Sequence, residues 1–81
     1  MDTEQDLAIN FAYKMISKIE LRHNRYVPMG WRTMYVKRLV ALLKGELLEL
    51  EEAMKKDDKI GAQDEAIDIA NYALFIHEVL K

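Results

Sequence analysis

Leu39-Val40-Ala41-Leu42-Leu43-Lys44-Gly45-Glu46-Leu47-Leu48-Glu49-Leu50-Glu51-Glu52-Ala53-Met54 is the stretch on which the fold turns. Leu39, Leu42, Leu43, Leu47, Leu50 and Met54, with Tyr35 one turn upstream, recur at intervals of three and four. That is the period of an amphipathic helix and not the alternation of a strand. Lys55 and Lys56 follow, placing cations at the negative end of the helix dipole. The spacing predicts a helix over about 32–56. Downstream, Asp57 and Asp58 supply a short turn and an N-cap. From there to Lys81 there is no Pro and no Gly beyond Gly61, so a further helix is predicted over about 60–80. Upstream, Pro28 disfavours helix at Val27 and Gly30 supplies a turn, which makes residues 24–30 the main loop. Before it, Thr3 can cap a helix carrying Glu4 and Asp6 in its first turn, with Ala8, Phe11, Ala12, Met15 and Ile19 at helical spacing over about 4–23.

Composition agrees with an all-α fold in one domain spanning 1–81. With 51% hydrophobic and 32% charged residues, the chain is too apolar for disorder; with 3 Gly and 1 Pro, it is too poor in turn formers for an all-β fold. The absence of Cys excludes a disulfide framework, a zinc-thiolate cluster and a thiol nucleophile, and leaves self-association as the usual staple for so short a chain. The last helix points the same way. Ile67, Ile69, Ala70, Tyr72, Ala73, Leu74, Phe75, Ile76, Val79 and Leu80 cover most of its circumference, as in a helix buried on all sides. Three helices cannot enclose one of their own number, so a homodimer or homotetramer is expected, a three-helix protomer assembling into a bundle.

No apolar run approaches the roughly 18 residues of a membrane span, and the Met1-Asp2-Thr3-Glu4 start is acidic where a signal peptide is basic, so a cytoplasmic protein is expected. Residues 1–45 hold eight basic against four acidic side chains, net +4, and residues 46–81 hold four against ten, net −6. A nucleic-acid protein normally shows a basic excess overall. A basic segment folded against an acidic one suits instead a metal ion with a phosphorylated small molecule, or simply a salt-bridged surface.

The chemistry lies in four carboxylates. At about 100° per residue, Glu46 falls inside the apolar arc of its helix, between Leu42 and Leu39, and Glu49 lies on the rim of that arc. On the following helix Glu65 falls among Gly61, Ile69, Tyr72 and Ile76, with Asp68 about 60° to one side. Each helix therefore presents an acid pair at i, i+3 pointing inward, and the short turn at 57–59 makes the helices antiparallel neighbours. Burying four carboxylates together is prohibitive unless protons or a cation offset their repulsion. An all-oxygen set of this kind favours Mg²⁺, or Mn²⁺ in its place.

Glu46-x-x-Glu49 followed by Glu65-x-x-Asp68 resembles the signature of the MazG-like all-α nucleoside triphosphate pyrophosphohydrolases. The phrases Trp31-Arg32, Leu43-Lys44-Gly45-Glu46-Leu47-Leu48-Glu49-Leu50 and Asp64-Glu65-Ala66-Ile67-Asp68-Ile69-Ala70-Asn71-Tyr72 agree with it, over about residues 31–80. The resemblance implies a helical protein with an oligomeric four-helix core. It further implies that Glu46, Glu49, Glu65 and Asp68 hold Mg²⁺ against a nucleoside triphosphate, which is cleaved between the α and β phosphates to monophosphate and pyrophosphate, often for nucleotide-pool cleaning. Glu49 is the expected residue to orient or deprotonate the attacking water.

By the same resemblance, Tyr72 and Asn71 stand where a nucleotide-contacting side chain is often found. For Tyr72 the alternative is core packing, and for Asn71 a hydrogen bond across a dimer. Trp31, the one Trp, either stacks on a base or anchors the loop. Lys14, Lys18 and Arg22 fall within about 80° of one another, a phosphate-binding line or a solvated face. Glu20-x-x-His23 is half of a di-iron carboxylate motif without a second copy, so His23 is expected to cap the helix end or reach phosphate. His77 is expected to be structural. There is no glycine-rich phosphate loop and no order of Ser, His and Asp for nucleophilic catalysis. The alternative of another class is a non-catalytic helical self-association or nucleotide-binding module.

Overall fold

Thr3 and Asp6 open the first helix by capping each other. The Asp6 N–H donates to Thr3 Oγ1 and the Thr3 N–H donates to the Asp6 carboxylate, both at 3.1 Å. This reciprocal pair satisfies N–H groups that have no partner inside a helix. Helix α1 then runs Glu4–His23. The computed structural model describes residues 2–23 and 29–81, with the side chain of His23 outside the description. The predicted loop at 24–28, and the roles expected of His23, lie outside the described residues.

The second helix starts later than its periodicity suggests. Met29 adopts a left-handed φ of 60°, and Gly30–Thr33 form a 3₁₀ turn in which the Thr33 hydroxyl donates to the Gly30 carbonyl at 3.1 Å. Tyr35 is extended, with ψ at 142°, so α2 spans Val36–Lys55 rather than beginning near residue 32. The i→i+3 bonds of a 3₁₀ turn do not continue into an α-helix across an extended residue. Tyr35 thus drops out of the apolar stripe, and at 86% exposure it is a solvent-facing N-cap.

Asp57 takes a left-handed φ of 55° to end the turn. The Asp58 side chain accepts from the Gly61 N–H at 2.9 Å, and α3 runs Lys59–Val79. A Cβ at position 61 would run into the Asp58 carboxylate, so glycine leaves room for this cap. Asp58→Ala is expected to cost about 1 kcal/mol, which in a domain of this size lowers the melting temperature by roughly 4–8 °C, read by thermal circular dichroism.

Among the described residues the regular elements are all helical, with no strand, and α3 is the helix against which both others pack. The core is thin. Leu39, Tyr72 and Phe75 are its buried hydrophobic residues, flanked by half-buried Ile19, Trp31, Met34, Leu42, Leu43, Ile76 and Val79. Trp31 stacks on Phe75 with centroids 4.7 Å apart, and Tyr72 meets the same ring edge-on at 6.0 Å. On α1, Phe11, Met15 and Ile19 are half-buried, whereas Ala8 and Ala12, expected on the same buried stripe, are exposed. No helix among the described residues is long and apolar enough to cross a membrane.

Candidate metal centre

The tight turn at Lys56-Asp57-Asp58 returns α3 alongside α2, and the helical period does the rest. Glu46 and Glu49 on α2 and Glu65 on α3 bring carboxylate oxygens within 4.8 Å of one another. Glu46 and Glu65 are half-buried, and Glu49 is exposed at the rim, the depth expected from its position at the edge of the apolar arc.

The electrostatics follow from that crowding. Glu65 is pushed up to about 8, chiefly because a protonated Glu65 can donate to the Glu46 carboxylate, and then by burial and by the negative charges of Glu46 and Glu49. Burial also raises Glu46, with Glu49 and Asp68 adding repulsion, while the proton shared from Glu65 pulls it back. Glu65 Oε2 is buried, and no donor among the described residues reaches it. An acceptor in that position is satisfied by a proton or a cation. The donors are all carboxylate oxygens, two of them half-buried, which fits a hard divalent ion such as Mg²⁺ or Mn²⁺ better than zinc or copper.

The fourth acid is placed differently. Asp68 sits one turn beyond Glu65 and is held by Lys18 of α1 at 3.3 Å, while Lys18 also donates to Asp64 at 2.9 Å. Burial raises Asp68 and Lys18 opposes the rise. Helix α1 carries three basic and three acidic side chains, and it meets the acidic third helix through a forked ion pair in which Lys18 straddles positions i and i+4.

A protein from Archaeoglobus fulgidus, described as uncharacterized, is 33% identical over 72 residues, which cover 86% of this chain and 77% of that protein. The chain belongs to the same family as this archaeal protein. No family model and no solved structure matches the chain. The description of the archaeal relative names no activity, so the chemistry of the family rests on the residues themselves.

The remaining predicted site residues divide by what they touch. Tyr72 is 7% exposed and its hydroxyl accepts from Arg22 at 3.3 Å. The Arg22 guanidinium also lies 5.4 Å from the Tyr72 ring centroid and 5.9 Å from that of Phe75. Asn71 is buried and donates to the Met15 carbonyl of α1 at 3.2 Å, a bond within the protomer rather than across a dimer, and its Oδ1 has no partner among the described residues. Trp31 takes the anchoring alternative: one face lies on Phe75, ten residues or about 15 Å of helix beyond Glu65, and Arg32 stands 5.5 Å from its ring centroid. Of the cationic line, Lys14 is exposed, while Lys18 and Arg22 face α3. His77 is exposed and contacts its neighbour Glu78 at 2.8 Å. Sequence reasoning missed Asp64 as the direct partner of Lys18. The available signal was the spacing of Asp64 and Asp68, which puts two acids on one edge of α3 that a lysine of a neighbouring helix can bridge.

Proposed function

We propose that the chain is a Mg²⁺-dependent nucleoside triphosphate pyrophosphohydrolase of the MazG-like kind. In this reading it works as a homo-oligomer with a four-helix core, in cytoplasmic nucleotide-pool cleaning. The observation that supports it is the convergence of Glu46, Glu49 and Glu65 from two antiparallel helices around a buried carboxylate oxygen that no donor among the described residues reaches.

Phosphoanhydride hydrolysis asks little covalent chemistry of a protein; it needs charge neutralised on the phosphates and a water held in line. A bound Mg²⁺ supplies the first and orients the phosphates. Glu46 and Glu65 would hold it, and Asp68, which Lys18 engages in this structure, would be available as a further ligand if Lys18 paired with phosphate instead. Glu49, exposed at the rim, would orient and deprotonate the attacking water. Lys18 and Arg22 stand on the α1 side of α3 beside the acids, where a triphosphate would meet positive charge, and Lys14 extends the same edge into solvent.

The test is incubation of the purified protein with Mg²⁺ or Mn²⁺ and a panel of common and modified nucleoside triphosphates, with products resolved by chromatography. The expected products are monophosphate and pyrophosphate, lost in Glu46→Ala. Diphosphate and phosphate, or no turnover with any member of the panel, would overturn the reading in favour of a non-catalytic binding or self-association module.

A further inference from the structure

The carboxylates of Glu46, Glu49 and Glu65 close on one another within 4.8 Å, and Asp68, one turn further along α3, stands outside that group. Its charge is nonetheless felt there, since it adds to the repulsion that raises Glu46. What draws Asp68 aside is a cation of the protein's own. The Lys18 ammonium lies 3.3 Å from Asp68 and 2.9 Å from Asp64, with Arg22 adding a more distant positive charge.

The two arms of this fork differ in depth. The Asp68 side chain is 28% exposed and that of Asp64 52%. Around α3, Asp68 falls about 60° from Glu65 and Asp64 about 100° from it on the same side. The ammonium is thus held between an inner carboxylate, within electrostatic reach of the acid cluster, and an outer one at the solvent edge. A lysine seated on Asp68 and a divalent ion bound by it are alternatives, because each neutralises the same oxygens and the two positive charges repel at such a distance. Exchange between them is easy: when Asp68 is given up, Asp64 keeps the ammonium paired, and ion pairs at a solvated edge are weak.

We propose that Lys18 is a built-in competitor of the divalent ion for Asp68, and so sets how tightly the acid site takes up a free ion. This rests on the reading of Glu46, Glu49 and Glu65 as the holders of that ion. Lys18 is then a positioning residue, acting on the metal through Asp68. A free ion meets the competitor in full, whereas an anion that engages Lys18 leaves Asp68 to the ion. Ion and anion therefore assist each other's binding, and by linkage the assistance is mutual.

Mn²⁺ alone is the probe, titrated into the full chain and followed by the electron paramagnetic resonance signal of the unbound ion. Lys18→Met is expected to bind Mn²⁺ about tenfold more tightly than wild type, the scale on which groups that hold a ligand residue alter metal affinity. Lys18→Arg keeps the cation and is expected within about threefold of wild type. In an Asp68→Asn background the gain from Lys18→Met is expected to fall below about threefold, since no carboxylate remains there to be released. Lys18→Gln, expected to match Lys18→Met, covers the case in which methionine disturbs the packing of α1 on α3. Equal affinity in wild type and both neutral variants, or a tenfold gain that survives Asp68→Asn, would overturn the competition while leaving the acids as a metal site. No Mn²⁺ binding by wild type or by either neutral variant would remove the metal site and this proposal together.

Discussion

Without metal, the protein is expected to lose stability as pH rises from about 4.5 to about 8, and Glu65→Gln is expected to remove most of that loss. The native Glu65 carboxyl holds its proton up to about 8, whereas in the unfolded chain the same group releases it near the ordinary value of 4.5. Across that window the native state binds more protons than the unfolded one, so rising pH favours unfolding. Glutamine keeps the neutral donor toward Glu46 at every pH; the residual slope comes from Glu46 and Asp68, both also raised in the native state. A divalent cation held by these acids would replace the proton, so its expected effect runs the other way and grows with pH. At a hundred times its dissociation constant a ligand adds about 2.7 kcal/mol, which in a domain of this size raises the melting temperature by roughly 10–20 °C. That gain is expected at pH 8, is smaller at pH 5.5, and is absent in Glu65→Gln together with at least 100-fold of any Mg²⁺-dependent turnover. Thermal melts at the two pH values, with and without Mn²⁺, read all of this; a flat metal-free profile, or equal stabilisation of wild type and Glu65→Gln, would remove the acids from any shared metal role.

Phe75→Ala is expected to cost about 3–5 kcal/mol, as deletion of a buried aromatic ring usually does. The ring is 2% exposed and is the meeting point of three elements: Trp31 of the 3₁₀ turn stacks on one face, Tyr72 meets it edge-on, and Arg22 of α1 approaches it. A domain of 81 residues has a total stability of roughly 4–12 kcal/mol, so the variant is expected to be largely unfolded or to melt roughly 15–30 °C lower. Trp31 gives a direct readout, because losing its stacking partner moves its fluorescence emission to longer wavelength. Tyr35→Ala, at an 86% exposed position, is the matched control and is expected within about 0.5 kcal/mol of wild type. A Phe75→Ala protein as stable as that control would mean that the three-ring cluster does not hold the 3₁₀ turn to α3.

Local rules alone made much of this molecule legible. Thr3 and Asp58 cap helices because short oxygen-bearing side chains reach the first free N–H groups, and the helical period puts Glu46 and Glu65 inward whatever else the chain does. The break at 30–35 was not legible, because it depends on Trp31 reaching Phe75, forty-four residues away, and no local pattern encodes that stacking. Asp68 illustrates the same limit. Its spacing from Glu65 sets it on the acid-bearing side of α3, but its partner is decided by Lys18 on α1, a helix whose placement rests on long-range pairs from Lys18, Arg22 and Met15.

By itself, then, the sequence determined three helices, their order, the caps at Thr3 and Asp58, and the faces of α2 and α3 that carry paired acids, since propensity, capping and a period of 3.6 residues act over a few neighbours. Tertiary structure alone decided which three carboxylates converge, which one a lysine holds, and that Trp31 anchors a 3₁₀ turn, since each depends on how whole helices pack.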